Sequence, residues 1–227
     1  IIILFGNNES PANFPANGYY PFRQDSTFLY YFGPKRDGLV GVIDVDNDKE
    51  LLIGNDIDID DIVWYGSVDS VHDMAEHAGV KESAPMKQLQ VICDNAMKEK
   101  RTIHFLPPYR HDTMIQIFDL LGIHPSKQRE AASVELIKAV VKMRSTKEQQ
   151  EIEEIERACA IGYKMHTTAM RVTKPGVTEK YVGGQVNGIA NSYGAMVSFP
   201  TIFSQHGEIM HGNPPMAVLE SGRLALW

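Results

Sequence analysis

Strand-like and helix-like stretches alternate along the first 123 residues, and this order constrains the fold more than any other feature. Apolar runs bounded by turn-forming residues predict strands at Ile1–Phe5, Phe28–Phe32, Leu39–Val45, Leu51–Ile53 and Ile103–Leu106. Apolar residues at three- and four-residue spacing predict helices at Val68–His77, Leu89–Lys100 and Asp112–Leu121. The Asn-, Pro- and Gly-rich segment Gly6–Tyr20 is predicted to be a loop. We therefore expect an α/β domain with a mixed sheet and flanking helices.

Further helices are predicted between residues 134 and 192, where we expect a second domain to begin. Val134–Met143 is amphipathic, and Ser145 followed by Glu148 predicts a capping box that starts a long helix. Apolar spacing predicts that this helix has a buried face and that His166 on it is a core histidine. The residues of that face are Ile152, Ile155, Cys159, Tyr163, His166 and Met170. Thr178 is predicted to cap a last helix that runs to about Ser192.

Composition limits the classes of partner. The chain has 227 residues and a net charge of −7, which disfavours a nucleic-acid or anionic-membrane partner. No apolar run approaches the roughly 20 residues that span a bilayer. The only cysteines, Cys93 and Cys159, lack metal-type spacing, and we predict reduced, packed thiols in a cytoplasmic protein.

Neither the acidic stretch nor the scattered histidines predict a metal site. Residues 56–64, DIDIDDIVW, lack the glycine-directed turn and terminal carboxylate of a calcium loop, so they are interpreted as a solvated acidic edge. The histidines of the first domain share no ligand spacing and are interpreted as surface or packing residues; they are His72, His77, His104, His111 and His124.

Near the end of the sequence, two apolar runs flank a turn-rich segment that contains two histidines. Met196–Phe203 and Leu224–Trp227 are predicted strands, and the loop between them contains His206 and His211. A loop between two strands is a common place for a polar group above a cleft. The sequence starts on an apolar strand without Met and stops within a predicted strand, so we expect residues beyond both ends.

Two segments resemble a known family. Residues 20–33, YPFRQDSTFLYYFG, closely resemble the signature of the aminopeptidase P amino-terminal domain. Residues 221–227, SGRLALW, resemble the first half of the pattern G-x-L-x-L-x-D-x-G in the "pita-bread" domain of aminopeptidase P, prolidase and creatinase, and Pro-Gly-Val-Thr-Glu at 175–179 resembles the opening of that domain. Within the signature, Arg23 beside Asp25 is interpreted as a loop anchor rather than a substrate contact.

The resemblance implies a domain order and an activity. Residues 1–125 would form the amino-terminal creatinase-type domain, 126–144 a linker helix, and 145–227 the first part of an α+β pita-bread domain. The whole protein would be an Xaa-Pro metallopeptidase that acts on proline-containing peptides, with two divalent metal ions, manganese by expectation, and it would form a homodimer. The metal ligands would follow Trp227, so no ligand is assigned here and this piece alone is expected to be inactive.

The same resemblance assigns roles to the two histidines and leaves alternatives open. His211 corresponds to the substrate-facing histidine of the family and would be catalytic and substrate-binding. His206 lies where the family usually has small residues, and two interpretations stay open for it, a substrate-binding residue at the rim of the site or a surface residue. Two other classes within the same fold remain possible, a metal-free creatinase-type amidinohydrolase and a non-enzymatic protein-binding module.

Overall fold

The computed structural model describes residues 1–14, 17–209, 211–212 and 214–227 and divides the chain into two compact units, Ile1–Ser145 and Thr146–Trp227. In chain order, the first unit contains β1 (Ile2–Phe5), β2 (Pro11–Phe14), β3 (Asn17–Tyr19), α1 (Ser26–Phe32), β4 (Val40–Asp44), β5 (Lys49–Ile53), α2 (Ile59–Tyr65), α3 (Val71–His77), β6 (Glu82–Ala84), α4 (Lys87–Lys98), α5 (His111–Leu121), α6 (Pro125–Ala131) and α7 (Val134–Ser145). The second unit contains α8 (Gln149–Val172) and α9 (Glu179–Ser192). Within the described ranges, no helix is both long and apolar enough to cross a membrane.

The first unit is built on a mixed sheet with the strand order β1-β4-β5-β6. β4 lies antiparallel to both β1 and β5, with Val42 opposite Ile3 on one side and Leu51 on the other. β6 lies parallel to β5. The strands predicted at the start of the chain and around residues 39–45 and 51–53 are therefore confirmed, and so is the mixed α/β sheet.

The prediction of a strand at Ile103–Leu106 is wrong. A single parallel bridge joins His104 to Ile2, in which the Ile3 amide donates to the His104 carbonyl at 2.9 Å. The two prolines that follow, Pro107-Pro108, have no amide hydrogen to donate and cannot extend a ladder. The segment therefore lies beside β1 without becoming a strand.

Helices cover both faces of the sheet, because successive strand side chains point to opposite sides. One apolar cluster contains Leu4, Phe28, Phe32, Leu39, Leu52, Val71, Ala75, Val80, Leu136 and Val140, from α1, α3, α7 and the sheet. The other contains Ile1, Ile3, Val40, Val42, Ile53, Leu89, Cys93, Ala96 and Leu120, from α4, α5 and the opposite face. The predicted flanking helices are confirmed.

Residues 28–32 form part of helix α1, so the strand predicted there is wrong. Asp25 caps the helix: its Oδ1 accepts from the amides of Thr27 and Phe28, both at 2.9 Å. Phe28 and Phe32, one helical turn apart, are buried with their rings stacked at 5.5 Å. Gly33, with φ of +87°, ends the helix. Aromatic residues favour strands in isolation, but a cap, a terminal glycine and burial of one helical face together select the helix.

The predicted loop at Gly6–Tyr20 contains an antiparallel hairpin of β2 and β3, with Pro11 opposite Tyr19. Residues 15 and 16 of that prediction lie outside the described residues. The turn-rich composition predicted a connection, and the backbone pairing of β2 with β3 was not evident from it.

The acidic stretch at 56–64 includes helix α2, which the alternating pattern concealed. Asp58 caps the helix by accepting from the Asp61 amide at 2.9 Å, and Asp56 accepts from the Val71 amide at 2.7 Å. Trp64 is 81% exposed at the other end of the helix. Two of the aspartates thus serve as backbone acceptors.

The helices α3, α4, α5 and α7 confirm the four predicted in this unit, with ends that differ by a few residues. Gly122, in the left-handed conformation with φ of +69°, ends α5. Helix α6 was missed: His124 caps it and Pro125 occupies its first position. Proline at that position is a known start signal, and it was available in the sequence.

The second unit is organised around the packing of α8 against α9. Its apolar cluster contains Ala169, Val182, Val186, Phe203 and Leu219, with Met165 and Val172 at its edge. The predicted buried face of α8 is wrong, because Ile152, Ile155, Cys159, Tyr163, His166 and Met170 are all exposed. The stripe that packs lies one residue earlier, at Met165 and Ala169, and periodicity alone cannot choose between adjacent apolar stripes.

The predicted cap of α8 is shifted, whereas that of α9 is confirmed. Ser145 is the last residue of α7. The box forms at Glu148, whose amide donates to Glu151 Oε2 at 2.9 Å. Thr178 Oγ1 accepts from the Tyr181 amide at 3.1 Å and caps α9, which ends at Ser192.

The two carboxy-terminal apolar runs do not form the predicted strands. Ser204 and Leu226 form one antiparallel bridge, with N–O distances of 2.8 and 3.1 Å in the two directions. A second isolated bridge joins Thr178 to Val218. The chain directions match a strand-loop-strand pattern, but within the described part of this segment the pairing stops at single bridges.

Candidate functional site

Both predicted site histidines lie on one exposed segment of the second unit. His206 and His211 belong to residues 206–214, which we name the histidine loop, and both are exposed. Residues 210 and 213 of this loop are outside the described ranges. The prediction that both side chains lie in a turn-rich connection agrees with this placement.

The start of α9 holds both ends of the histidine loop. On the amino-terminal side, the Gln205 amide donates to Glu179 Oε1 at 2.8 Å. On the carboxy-terminal side, the Glu179 amide donates to the Ala217 carbonyl, and the Lys180 amide to the Pro215 carbonyl, both at 2.9 Å. The first turn of α9 has amides without helical partners, and here the residues that follow the loop supply acceptors for them.

The two ends are also joined to each other by the side chain of Gln205. Its Nε2 donates to the Val218 carbonyl at 2.9 Å, and its Oε1 accepts from the Glu220 amide at 3.0 Å. One side-chain amide thus bonds to two backbone groups, much as a strand neighbour would. The base of the histidine loop is closed by these bonds.

Glu179 is the central residue of this arrangement, and sequence reasoning missed its role. It is completely buried, and Oε1 accepts from the Gln205 amide and, at 3.4 Å, from Ser204 Oγ. Its second oxygen, Oε2, is buried without a partner among the described residues. The sequence showed only an acidic residue directly after a cap, which is common because the helix dipole favours negative charge there.

His206 makes local polar contacts. Its Nδ1 lies 3.0 Å from Glu208 Oε1, and its amide donates to Ser204 Oγ at 2.9 Å. The pKa of Glu208 is lowered, first by its own backbone amide and then by His206. These contacts fix the start of the histidine loop and orient the His206 ring.

His166 differs from its prediction as a core histidine. It is exposed, and its ring contacts the Trp227 indole with centroids 3.9 Å apart and planes tilted by 54°. The contact joins the exposed side of α8 to the last residue of the sequence. The predicted burial of His166 is wrong because the stripe that contains it is the exposed one.

No metal centre is assembled in the described ranges, where no group of three or more His, Cys, Asp or Glu side chains is placed to hold an ion. In the first unit, a cavity of about 690 Å³ is lined by residues that include Phe32, Arg36, Met74 and His77. It contains neither of the predicted site histidines.

Each of the two units contains a segment that matches a known protein family. Residues 1–104 match the family model "Aminopeptidase P, N-terminal domain", and residues 153–227 match "Metallopeptidase family M24". The first match lies within the first unit and the second match lies within the second unit. The resemblance found in the signature at 20–33 and in the last residues is thereby confirmed.

Relatives of known structure show the same fold. The Xaa-Pro aminopeptidase of Escherichia coli (strain K12) is 25% identical over 222 residues, which are 93% of this chain and 50% of that protein. Zinc-substituted aminopeptidase P of E. coli in complex with product gives a TM-score of 0.78 at 21% identity, over 99% of this chain and 53% of that one. Aminopeptidase PepP of Pseudomonas aeruginosa gives 0.80 at 20% identity, over 99% and 52%. The chain therefore spans about half the length of the relatives it matches.

Proposed function

We propose that the protein to which this chain belongs is an Xaa-Pro aminopeptidase, which hydrolyses the bond between an amino-terminal residue and a following proline. The observation that carries the proposal is the order of the two family matches, an aminopeptidase P amino-terminal domain followed by an M24 domain. A curated relative with this activity in its name aligns with 93% of the chain. In this proposal residues 1–125 form the amino-terminal domain, 126–144 the linker and 145–227 the start of the catalytic domain.

Within this proposal, His211 is the residue of this chain that contacts the substrate. An imidazole can donate a hydrogen bond to the scissile carbonyl and stabilise the negative charge that develops on its oxygen. The exposure of His211 supports this role, because a peptide can reach it. His206, whose ring is oriented by Glu208, lies at the rim of the substrate site.

The proposed enzyme uses two divalent metal ions, with manganese as the proposed metal. Support comes from the M24 family match and from the zinc-substituted form of the E. coli relative. The described residues do not fit such a centre, since no three ligating side chains converge. The proposal therefore assigns the ligands to the longer parent protein and derives no step through the ions.

A cytoplasmic location and a homodimer complete the proposal. Both cysteines are free thiols, which supports a reducing compartment. The exposed apolar residues Ile59, Val63 and Trp64 on α2 support association through the first unit. Light scattering on the purified parent protein tests the dimer directly, and a monomer at working concentration would contradict it.

The test of the activity compares the parent protein with the 227-residue chain, each loaded with manganese and then assayed on Xaa-Pro peptides and on creatine. We expect metal-dependent Xaa-Pro cleavage by the parent and none by the shorter chain. Metal-independent hydrolysis of creatine would instead support an amidinohydrolase. Absence of both activities in the folded parent would support a protein-binding module.

A further inference from the structure

Glu179 combines complete burial with an incomplete set of hydrogen bonds. It is 0% exposed, yet one of its two carboxylate oxygens has no partner among the described residues. Buried carboxylates are costly unless their oxygens are hydrogen-bonded. A side chain at the surface end of a helix could point to solvent at little cost. The inward orientation of Glu179 therefore requires a reason beyond its favourable position in the first turn of α9.

The oxygen that is hydrogen-bonded acts on the backbone at the base of the histidine loop. Glu179 Oε1 accepts from the Gln205 amide at 2.8 Å, one residue before His206. Its second donor, Ser204 Oγ, itself accepts from the His206 amide at 2.9 Å. The carboxylate thus fixes residues 204–206 directly and through one intermediate hydroxyl.

The backbone of Glu179 fixes the other end of the same loop. Its amide donates to the Ala217 carbonyl, and the neighbouring Lys180 amide donates to the Pro215 carbonyl. One residue therefore bonds to both ends of the segment that contains His206 and His211. The hydrogen bond that the Glu179 amide donates does not involve the side chain. Replacing Glu179 by Gln or Asp can therefore release only the end of the loop that leads into His206.

We propose that Glu179 is a positioning residue for the histidine loop: its buried carboxylate holds the Ser204–His206 backbone so that His211 is presented to substrate in one arrangement. The inference rests on the proposed function for the role of His211, and on the contacts alone for the role of Glu179. Glu179 touches no substrate and acts through the backbone of Gln205.

Two variants in the full-length parent separate the reach of the side chain from its charge. Glu179→Gln keeps a carbonyl oxygen at the same reach, and that oxygen will face the Gln205 amide because two N–H groups repel each other. Glu179→Asp keeps the charge but withdraws both oxygens by one carbon–carbon bond. Glu156→Gln, on the exposed side of α8, is the matched control for charge removal.

Hydrogen exchange of the Gln205 amide is the first measurement, because it needs no activity. We expect Glu179→Asp to lower the protection of this amide about tenfold, as for one lost bond to a charged group, and Glu179→Gln to retain it. We also expect Glu179→Asp to lower kcat about 10- to 100-fold and to change KM and metal content little. Glu179→Gln should behave as the wild type in all three quantities.

Unchanged protection and kcat in Glu179→Asp would overturn the inference. An equal loss in both variants would also overturn it, since an acceptor at the reach of Glu179 would then not be sufficient to hold the Gln205 amide. If Glu179→Asp does not fold, retention of protection and kcat by Glu179→Gln supports the inference and their loss overturns it. A wild-type parent without Xaa-Pro cleavage would refute the proposed function, while the Gln205 amide would still decide the role of Glu179.

Discussion

Gly41 of β4 lies directly beneath the ring of Phe32 in α1, so closely that a Cβ added at Gly41 would be 2.0 Å from Cε2 of that ring. Phe32 is 2% exposed and belongs to the apolar cluster between α1 and the sheet. The absence of a side chain at residue 41 therefore sets how near α1 can approach β4.

The change Gly41→Ala is expected to destabilise the chain by about 1–3 kcal/mol, the usual range for overpacking a core. The measurement is urea unfolding followed by circular dichroism. Gly162→Ala is the control, since Gly162 lies within α8 and a methyl group added there would have no neighbour within 4 Å. It should leave stability unchanged or raise it by up to about 1 kcal/mol. Equal midpoints for the two variants would contradict the expectation.

Removal of the cap of α1 should cost less than a core change. Asp25→Ala removes the acceptor for the amides of Thr27 and Phe28 and is expected to cost about 1 kcal/mol. Asp25→Asn retains a side-chain oxygen and should keep most of that stability. Thermal unfolding of both variants gives the comparison, and a fully stable Asp25→Ala would show that the cap contributes nothing.

Acid should destabilise the first unit through the ion pair of Asp44 with Arg101, which also bonds to Asp46. Hydrogen bonding to Arg101 holds the pKa of Asp44 well below its ordinary value. The pKa of Asp44 is thus lower in the folded state than in the unfolded state, where it is about 3.9. The ion pair therefore contributes its full stability at pH values above the unfolded pKa, and this stability is lost as the pH falls from there toward the folded pKa. We therefore expect the unfolding free energy to decrease below about pH 4.

The variant Arg101→Gln should be less stable near neutral pH and should lose less stability on acidification than the wild type, measured as urea midpoints between about pH 2 and 7. Lys49→Gln is the control, because Lys49 pairs with Glu82 at 3.2 Å with both side chains about half exposed and such pairs contribute little. Parallel pH profiles for wild type and Arg101→Gln would refute the assignment.

The two thiols should differ sharply in reactivity. Cys159 is exposed, whereas Cys93 is buried and its burial raises its thiol pKa to about 11. Since the thiolate is the reactive form, an alkylating reagent at about pH 8 should modify one thiol per folded chain and the second only after denaturation. Cys159→Ser should abolish the fast phase, and a fast phase that persists in this variant would place Cys93 at the surface.

Loss of the His211 ring should impair catalysis in the parent enzyme more than loss of the His206 ring. A donor to a developing oxyanion typically contributes about 10²–10³ in kcat, so His211→Ala should reduce kcat by that factor with metal content unchanged. His206→Ala, at the proposed rim, should change kcat less than about tenfold. A His211→Ala enzyme with kcat close to wild type would exclude the proposed role.

Much of the first unit could be predicted because its signals are local. The periodicity of β4 and β5 and the glycine that ends α5 each depend on a few neighbouring residues. The helix at 28–32 was missed because its aromatic residues have strand propensity, and the contact of Phe32 with Gly41 is a tertiary fact. Local propensity is a weak prior where distant packing decides the outcome.

The candidate site was predictable only in its histidines. His206 and His211 were placed by their turn-rich surroundings and by family resemblance. Glu179 could not be identified, since its partners at 204, 205 and 217 are 25 to 38 residues away in sequence. They come close to it only in the folded unit, where the nearby Phe203 and Leu219 share an apolar cluster with α9. The buried face of α8 failed for a related reason, as two adjacent stripes satisfied the same period.

The hydrogen bonds that close the histidine loop involve Glu179, Lys180, Gln205 and the carbonyls of residues 215–218, none of which belongs to the loop. Its sequence and length can therefore change while the base stays in place, at an entropic cost of only about 0.6 kcal/mol for each doubling of length. In this unit the histidine loop can therefore diverge by insertion and deletion as readily as by substitution, without any compensating change in α9, to whose first turn its flanking residues are bonded.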